Sequence, residues 1–283
     1  MPLYKQYDQA SLDLQYNNRF HVPAYANHFS KWDSLSRQTE KEYPVIKDIP
    51  YGSLPEETMD IYSAPQPGSR VLIFLHGGYW QMMDKSGFQF IVPAFIPYGI
   101  TVMIVNYPLA PAFSMDQIVH SCKKIGQWLP KHLPLYNGDI KQVYIAGYSA
   151  GGHLGAMLME ANGESPATPV YRGLCSLSGL FNLLPVQLSN LNSVIGMDRA
   201  AAIRNSPVQL PAINRSPFLL TVGGDETAEF KDQSREMYAH RKAAGNQVEL
   251  LEIPELNHFS IMEAFVDNRS LLHQAMLRLM ELE

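Results

Sequence analysis

The sequence predicts an α/β protein: a mostly parallel central sheet with helices on both faces and a small lid or insertion. Three observations carry this. From about residue 70 onward, short apolar, β-branched runs alternate with segments of helical period. The runs are nearly continuous in hydrophobicity, as strands covered on both faces must be. The helical segments between them carry start and stop signals.

The strands are expected at "VLIFL" (71–75), "TVMIVN" (101–106), "QVYIAG" (142–147), "GLCSLS" (173–178), "FLLTV" (218–222) and "VELLEI" (248–253). The helix after the second strand should begin at a capping box, Ser114 with Gln117 three residues on. It lines one face with Ile118, Cys122, Ile125 and Leu129, and should stop at Pro130. The next should run from about Ala150 to Ala161 and end at Gly163, another from about Thr227 to Ala244 with a stop at Gly245, and the last from about Ser270 to Leu282. The first 45 residues are polar and aromatic, helical in part, and lead into short strands around "VIKDIPYG" and "EETMDIYSAP". Residues 181–216 are too long for a plain connection between sheet strands. Both regions are candidates to cover a pocket at the carboxyl ends of the strands.

The bulk properties narrow the function classes. A chain of 283 residues with 46% hydrophobic residues has material for a sizeable core, and with no repeat or linker it reads as a single domain spanning 1–283. The net charge of −5 has no basic stripe behind it, so neither nucleic acid nor an anionic membrane is expected as partner. The expected partner is a small-molecule substrate, with a homodimer left open. No signal-like or membrane-spanning run occurs, and the expected location is the cytoplasm. Cys122 and Cys175 lack metal or redox spacing and read as buried thiols in a reducing compartment. No H-E-x-x-H or comparable ligand cluster is present, so neither metal nor cofactor is expected.

The chemistry is concentrated in a few loops. "YIAGYSAGGHLG" contains G-x-S-x-G (Gly147, Tyr148, Ser149, Ala150, Gly151) between a buried strand and a helix, the context in which such a turn lifts a serine hydroxyl out of the sheet. A serine needs a base, and the base an orienting carboxylate. Asp225 in "FLLTVGGDET" and His258 in "VELLEIPELNHFS" follow late strands in the order Ser, acid, His. The neighbouring Glu226 is the competing acid; Asp225 is preferred because the turn after two glycines should present its first residue. "FLHGGYWQ" offers backbone amides to an oxyanion: Gly78 and Tyr79, with Gly77 shaping the turn, joined by Ala150 after the serine. His76 reads as a structural loop histidine. Trp80, Phe181 and Asn182 are candidates for the pocket wall, although packing under the loop suits Trp80 better.

The set "HGGYW", "NYPLAP", "GYSAGG", "GGDET" and "NHFS" resembles the α/β-hydrolase superfamily. "HGGYW" in particular looks like the H-G-G-x-W signature of the serine-type kynurenine formamidases (arylformamidases). Related hormone-sensitive-lipase-like esterases usually carry H-G-G-G and "DYRLAPE", where this chain has Tyr79 and "NYPLAP". The N-terminal "YNNRFHVPAY" and "GGDETAEFKDQS" extend the similarity over most of the chain. The resemblance implies an α/β-hydrolase fold and cofactor-free hydrolysis of N-formyl-L-kynurenine to kynurenine and formate. Ser149 would be nucleophile, His258 general acid and base, and Asp225 its orienter. A broad carboxylesterase or another amidase is the alternative enzyme, and a ligand-binding protein on the same fold is disfavoured by the three triad candidates.

Overall fold

The structure is a computed structural model that describes residues 2–161 and 171–282. The N-terminal segment forms helices α1 (Gln9–Gln15), α2 (Asn18–His21) and α3 (Tyr25–Glu42). Strands β1 (Ile46–Pro50), β2 (Thr58–Tyr62), β3 (Ser69–Leu75) and β4 (Ile100–Val105) follow, then helix α4 (Met115–His132) and strand β5 (Gly138–Tyr148). Helix α5 (Ala150–Ala161) and strand β6 (Gly173–Leu177) lead into the 181–216 segment. That segment folds as three short helices, α6 (Leu184–Leu188), α7 (Asn192–Ile195) and α8 (Arg199–Arg204). The chain closes with β7 (Phe218–Gly223), α9 (Ala228–Ala243), β8 (Val248–Ile253), α10 (Ser260–Val266) and α11 (Leu271–Leu279).

Local signals explain most boundaries. The Ser114–Gln117 capping box is formed in both directions at the start of α4. Gly245, at φ +73°, takes the left-handed position after α9. Pro130 does not end α4, which continues to His132. In the last turn the missing N–H removes only one bond near a terminus that is already running out of partners, and the chain tightens into a 3₁₀ turn at Leu133–Tyr136. The expected stop of α5 at Gly163 lies outside the described residues.

Among the described residues the sheet has eight strands in the order β1-β2-β4-β3-β5-β6-β7-β8. All neighbours from β4 to β8 are parallel, and β2 and β1 are antiparallel additions at one edge. The order reverses between β3 and β5, the switch point where open α/β sheets form a crevice beyond the strand ends. Alternation along β3 divides the core: Val71, Ile73 and Leu75 pack under α4 and α5 with Ile118, Ile125 and Leu154. Leu72 and Phe74 pack on the other face with Trp32 of α3, Phe265 of α10 and Met276 of α11. Burial of each such large apolar side chain contributes roughly 1.5–3 kcal/mol. Cys122 and Cys175 are free and buried, one in each of these two layers, which accounts for their remaining unpaired. Burial pushes both thiols upward in pKa.

The helices that follow β5 and β7 are joined by a buried ion pair. Arg241 of α9 meets Glu160 of α5 through Nη1, and its Nη2 donates to the carbonyls of Asn214 and Ser216 at 2.7 and 3.1 Å. The guanidinium also stacks over the Phe218 ring, 3.7 Å from its centroid. Burial raises the Glu160 carboxyl and lowers the Arg241 guanidinium against the stabilising charge of each partner. Arg241→Met, which strands a buried carboxylate, is expected to lower the unfolding free energy by about 3–5 kcal/mol in urea titration. The Glu160→Met, Arg241→Met double variant should recover most of that loss.

Candidate active site

Two registers assemble the site. Leu75 of β3 lies opposite Gly147 of β5, so the loops beginning at His76 and at Ser149 leave the sheet side by side. Gly223 of β7 lies opposite Ile253 of β8, so the segments carrying residues 224–227 and 254–259 also emerge as neighbours.

Ser149 sits at φ +54°, the strained left-handed region, between the last residue of β5 and the first of α5. Its N–H donates to the Leu177 carbonyl at 2.7 Å, and its carbonyl accepts from Gly152 and His153. The turn is possible only with glycine at the flanks. A Cβ on Gly147 would stand 2.2 Å from the Gly151 carbonyl oxygen, and one on Gly151 would stand 1.9 Å from that of Leu75. Ala150 is the first residue of α5, where unpaired N–H groups and the helix dipole favour negative charge.

The facing loop is held open by polar contacts. Gly78 has φ +106°, and a Cβ there would stand 2.2 Å from the Met82 carbonyl oxygen. Tyr79 and Trp80 are also left-handed, at φ 50° and 58°. Among the described residues, the N–H groups of Gly78, Tyr79 and Ala150 donate to no protein acceptor. Trp80 is fully buried, and its Nε1–H donates to His153 Nδ1 at 3.1 Å. Because indole can only donate, His153 must carry its proton on Nε2, which donates to the Asn205 carbonyl at 2.7 Å. His76 donates from Nδ1 to the Gly77 carbonyl at 2.8 Å and stacks on Tyr107, whose hydroxyl donates to the His76 carbonyl at 2.6 Å. The "NYPLAP" stretch thus braces the loop, and the Ala110 N–H completes the brace by donating to the Trp80 carbonyl at 2.8 Å.

His258 Nδ1 is hydrogen-bonded to Glu226 Oε2 at 2.7 Å. The ring lies against Phe230, 4.6 Å between centroids, and Tyr148, at 5.2 Å, and the Tyr148 hydroxyl donates to the His258 carbonyl. The other carboxylate oxygen of Glu226 accepts from Ser178 Oγ at 2.5 Å and the Gly223 N–H at 2.7 Å. Glu226 is therefore buried but fully partnered.

The expectation that Asp225 faces the histidine is not met. The Glu226 N–H donates back to the Gly223 carbonyl, closing a turn with Asp225 at its exposed tip and Glu226 folded over the sheet. The first acid after the glycines points to solvent, and the second has the extra methylene needed to reach Nδ1.

Ser149, His258, Gly78, Tyr79 and Tyr148 line one cavity of about 240 Å³. Trp80, Phe181 and Asn182 do not line it. Trp80 is spent on His153; the Phe181 and Asn182 N–H groups both donate to Gln233 Oε1 at 2.7 Å, and the Asn182 amide turns to Glu236. The outer wall comes instead from the N-terminal segment, with Tyr16, Asn18, Arg19 and Phe29, and from Asn190 and Leu191 of the 181–216 segment. Tyr79 ties this wall to the loop by donating its hydroxyl to the Tyr16 carbonyl at 2.7 Å. Among the described residues no group of side chains could hold a metal ion, and no helix is long and apolar enough to cross a membrane.

Two buried histidines, His76 on the loop and His153 on α5, make stability depend on pH. Burial lowers both His76 and His153 from 6.5 to about 4, opposed by their carbonyl partners. Between about 4 and 6.5 the unfolded chain binds more protons, so stability is fully present above 6.5 and falls as pH drops toward 4, by on the order of 3 kcal/mol per histidine. Urea midpoints should fall between pH 7.5 and pH 5. His153→Gln, whose amide can accept from Trp80 and donate to Asn205, should flatten that slope.

Comparison with known proteins bears on the fold and the family. The BD-FAE family model matches residues 59–170. A kynurenine formamidase from Salmo salar is 32% identical over 83% of this chain and 82% of its own length. One from Danio rerio is 29% identical over 98% of each. A solved structure from Silicibacter sp., described as a thioesterase, superposes with a TM-score of 0.83 at 25% identity, covering 92% of this chain and 97% of that one. The protein is a hydrolase of the α/β-hydrolase fold, and the chain belongs to the kynurenine formamidase family.

Proposed function

We propose that the protein is a serine hydrolase that cleaves an aryl formamide, N-formyl-L-kynurenine, to L-kynurenine and formate through an acyl-enzyme. The observation that carries the reading is the convergence on one cavity of Ser149 at a left-handed turn, His258 held by Glu226, and the unpaired amides of the "HGGYW" loop. The family's named activity in the fish relatives supports the choice of substrate.

In the proposed reaction Ser149 Oγ attacks the formyl carbon as His258 Nε2 takes the hydroxyl proton. The bond to Glu226 fixes the tautomer, with the Nδ1 proton toward the carboxylate, and stabilises the imidazolium that forms. The developing oxyanion accepts from the N–H groups of Gly78, Tyr79 and Ala150. The C–N bond then breaks, and the aniline nitrogen leaves with the proton from Nε2. Water, deprotonated by His258 Nε2, attacks the formyl ester; the bond to Ser149 Oγ breaks, the proton returns from Nε2 to Oγ, and formate is released. Tyr79, where esterases of related type carry a third glycine, limits the acyl side of the site and suits the smallest acyl group.

Ser149→Ala should lower kcat by about 10⁴–10⁶-fold on every substrate. Glu226→Gln should lower it by about 10³–10⁴-fold, and Asp225→Asn by less than about 3-fold; the opposite ranking would return the orienting role to Asp225. Steady-state kinetics on N-formyl-L-kynurenine and on short p-nitrophenyl esters test the substrate. A kcat/KM for the formamide no greater than for the esters would leave a carboxylesterase as the better description.

A further inference from the structure

The cavity contains one fixed positive charge that the chemistry above does not use. Arg19, in α2, lines the same cavity as Ser149 and His258 and is exposed to solvent. Among the described residues it has no ion pair; its one hydrogen bond runs from Nη2 to the Met82 sulfur at 3.3 Å, a weak acceptor. Its guanidinium lies over the rings of Tyr25 and Phe29, 5.2 and 5.9 Å from their centroids. These cation–π contacts engage the charge but supply no acceptor for the forked N–H donors.

Among the described residues the surroundings contain no spare carboxylate to satisfy it. No aspartate or glutamate among the described residues lines the cavity. The adjoining groove, which Arg19 also borders, has Asp33 and Asp84. Asp33 is paired with Arg37, and Asp84 accepts from the Asn106 amide and the Ser86 N–H. In a chain of net charge −5, an arginine left unpaired at the mouth of the cavity is a ready anion receptor. Its helix is anchored where the position matters: Asn17 caps α2, and Asn18 Nδ2 donates to the Tyr79 hydroxyl at 3.4 Å.

We infer that Arg19 is the specificity-determining residue that binds a carboxylate on the substrate's leaving-group side, so that the enzyme selects anionic aryl amides or esters over neutral ones. The inference rests on the hydrolase reading above and deepens it; a carboxylate several bonds from the scissile carbonyl, as in an acylated aryl amino acid, is the group that fits.

The test compares two formamides that differ only at the carboxylate, N-formyl-L-kynurenine and N-formylkynuramine. In the unaltered protein the ratio of their kcat/KM values should favour the carboxylate. Arg19→Met should collapse that ratio by about 10–100-fold, chiefly through KM, Arg19→Lys should retain part of it, and Arg19→Glu should drive it lower still. An equal loss on both formamides would assign Arg19 to shaping the wall instead, and an unchanged ratio would remove it from recognition; either overturns the inference. If neither formamide is turned over, the formamidase reading fails first, and the same ratio is read with phenyl acetate and 3-(4-acetoxyphenyl)propionate. There too, a preference for the carboxylate that Arg19→Met abolishes sustains the inference, and the lack of one overturns it.

Discussion

The site depends on a contact between two backbones. The first turn of α5 passes so close to the end of β3 that a single Cβ on Gly151 would overlap the Leu75 carbonyl. That approach sets the turn at Ser149 beside the loop that begins at His76. It also requires the β3–β5 register that pairs Leu75 with Gly147, because a slip of one residue would turn every core side chain of these strands to the opposite face. The geometry of the candidate site is thus tied to the hydrophobic patterning of the sheet, and the core on both faces holds the relation between the two loops.

The close approach leaves a loop with three consecutive residues at positive φ, Gly78, Tyr79 and Trp80, two of them bulky. Such a backbone persists only where its surroundings over-determine it. Here Trp80 is fixed to α5 through His153, Tyr107 holds the carbonyl of His76, Ala110 holds the carbonyl of Trp80, and Tyr79 holds the N-terminal segment. The histidine and tryptophan of "HGGYW" therefore act as structural groups, while the Gly78 and Tyr79 amides between them donate to no acceptor among the described residues.

Much of this was legible in the chain because it is local. Apolar runs set the strands, Ser114 and Gln117 set the start of α4, and the glycines around Ser149 could mean little other than a tight strand-to-helix turn. His258 was readable because it alone among the histidines stands on a loop after a late strand. The choice between Asp225 and Glu226 was not readable, since it turns on which residue of a four-residue turn points back over the sheet. Phe181 and Asn182 were placed in the pocket by sequence position, yet Gln233 on α9, some fifty residues away, captures both backbone amides. The outer wall was foreseen only as two segments; that Tyr16, Asn18 and Arg19 would be its members depends on tertiary docking, for which α1 and α2 carry no local signal beyond their caps.

The docking of the N-terminal segment divides the protein's labour. Residues 15–16 bridge the two halves of the site: Thr227 and Glu229 bond to Gln15 on one side, and Tyr79 bonds to the Tyr16 carbonyl on the other. In the proposed reaction the loops of the sheet supply the reacting groups, while much of the cavity's outer wall is a separate stretch of chain, more than a hundred residues from Ser149. On the proposed reading, substitutions at wall positions such as Arg19, which bonds to none of the reacting groups, change which molecules are admitted while Ser149, His258 and Glu226 stay in place. A lineage could diversify its substrates there while its chemistry stayed constant.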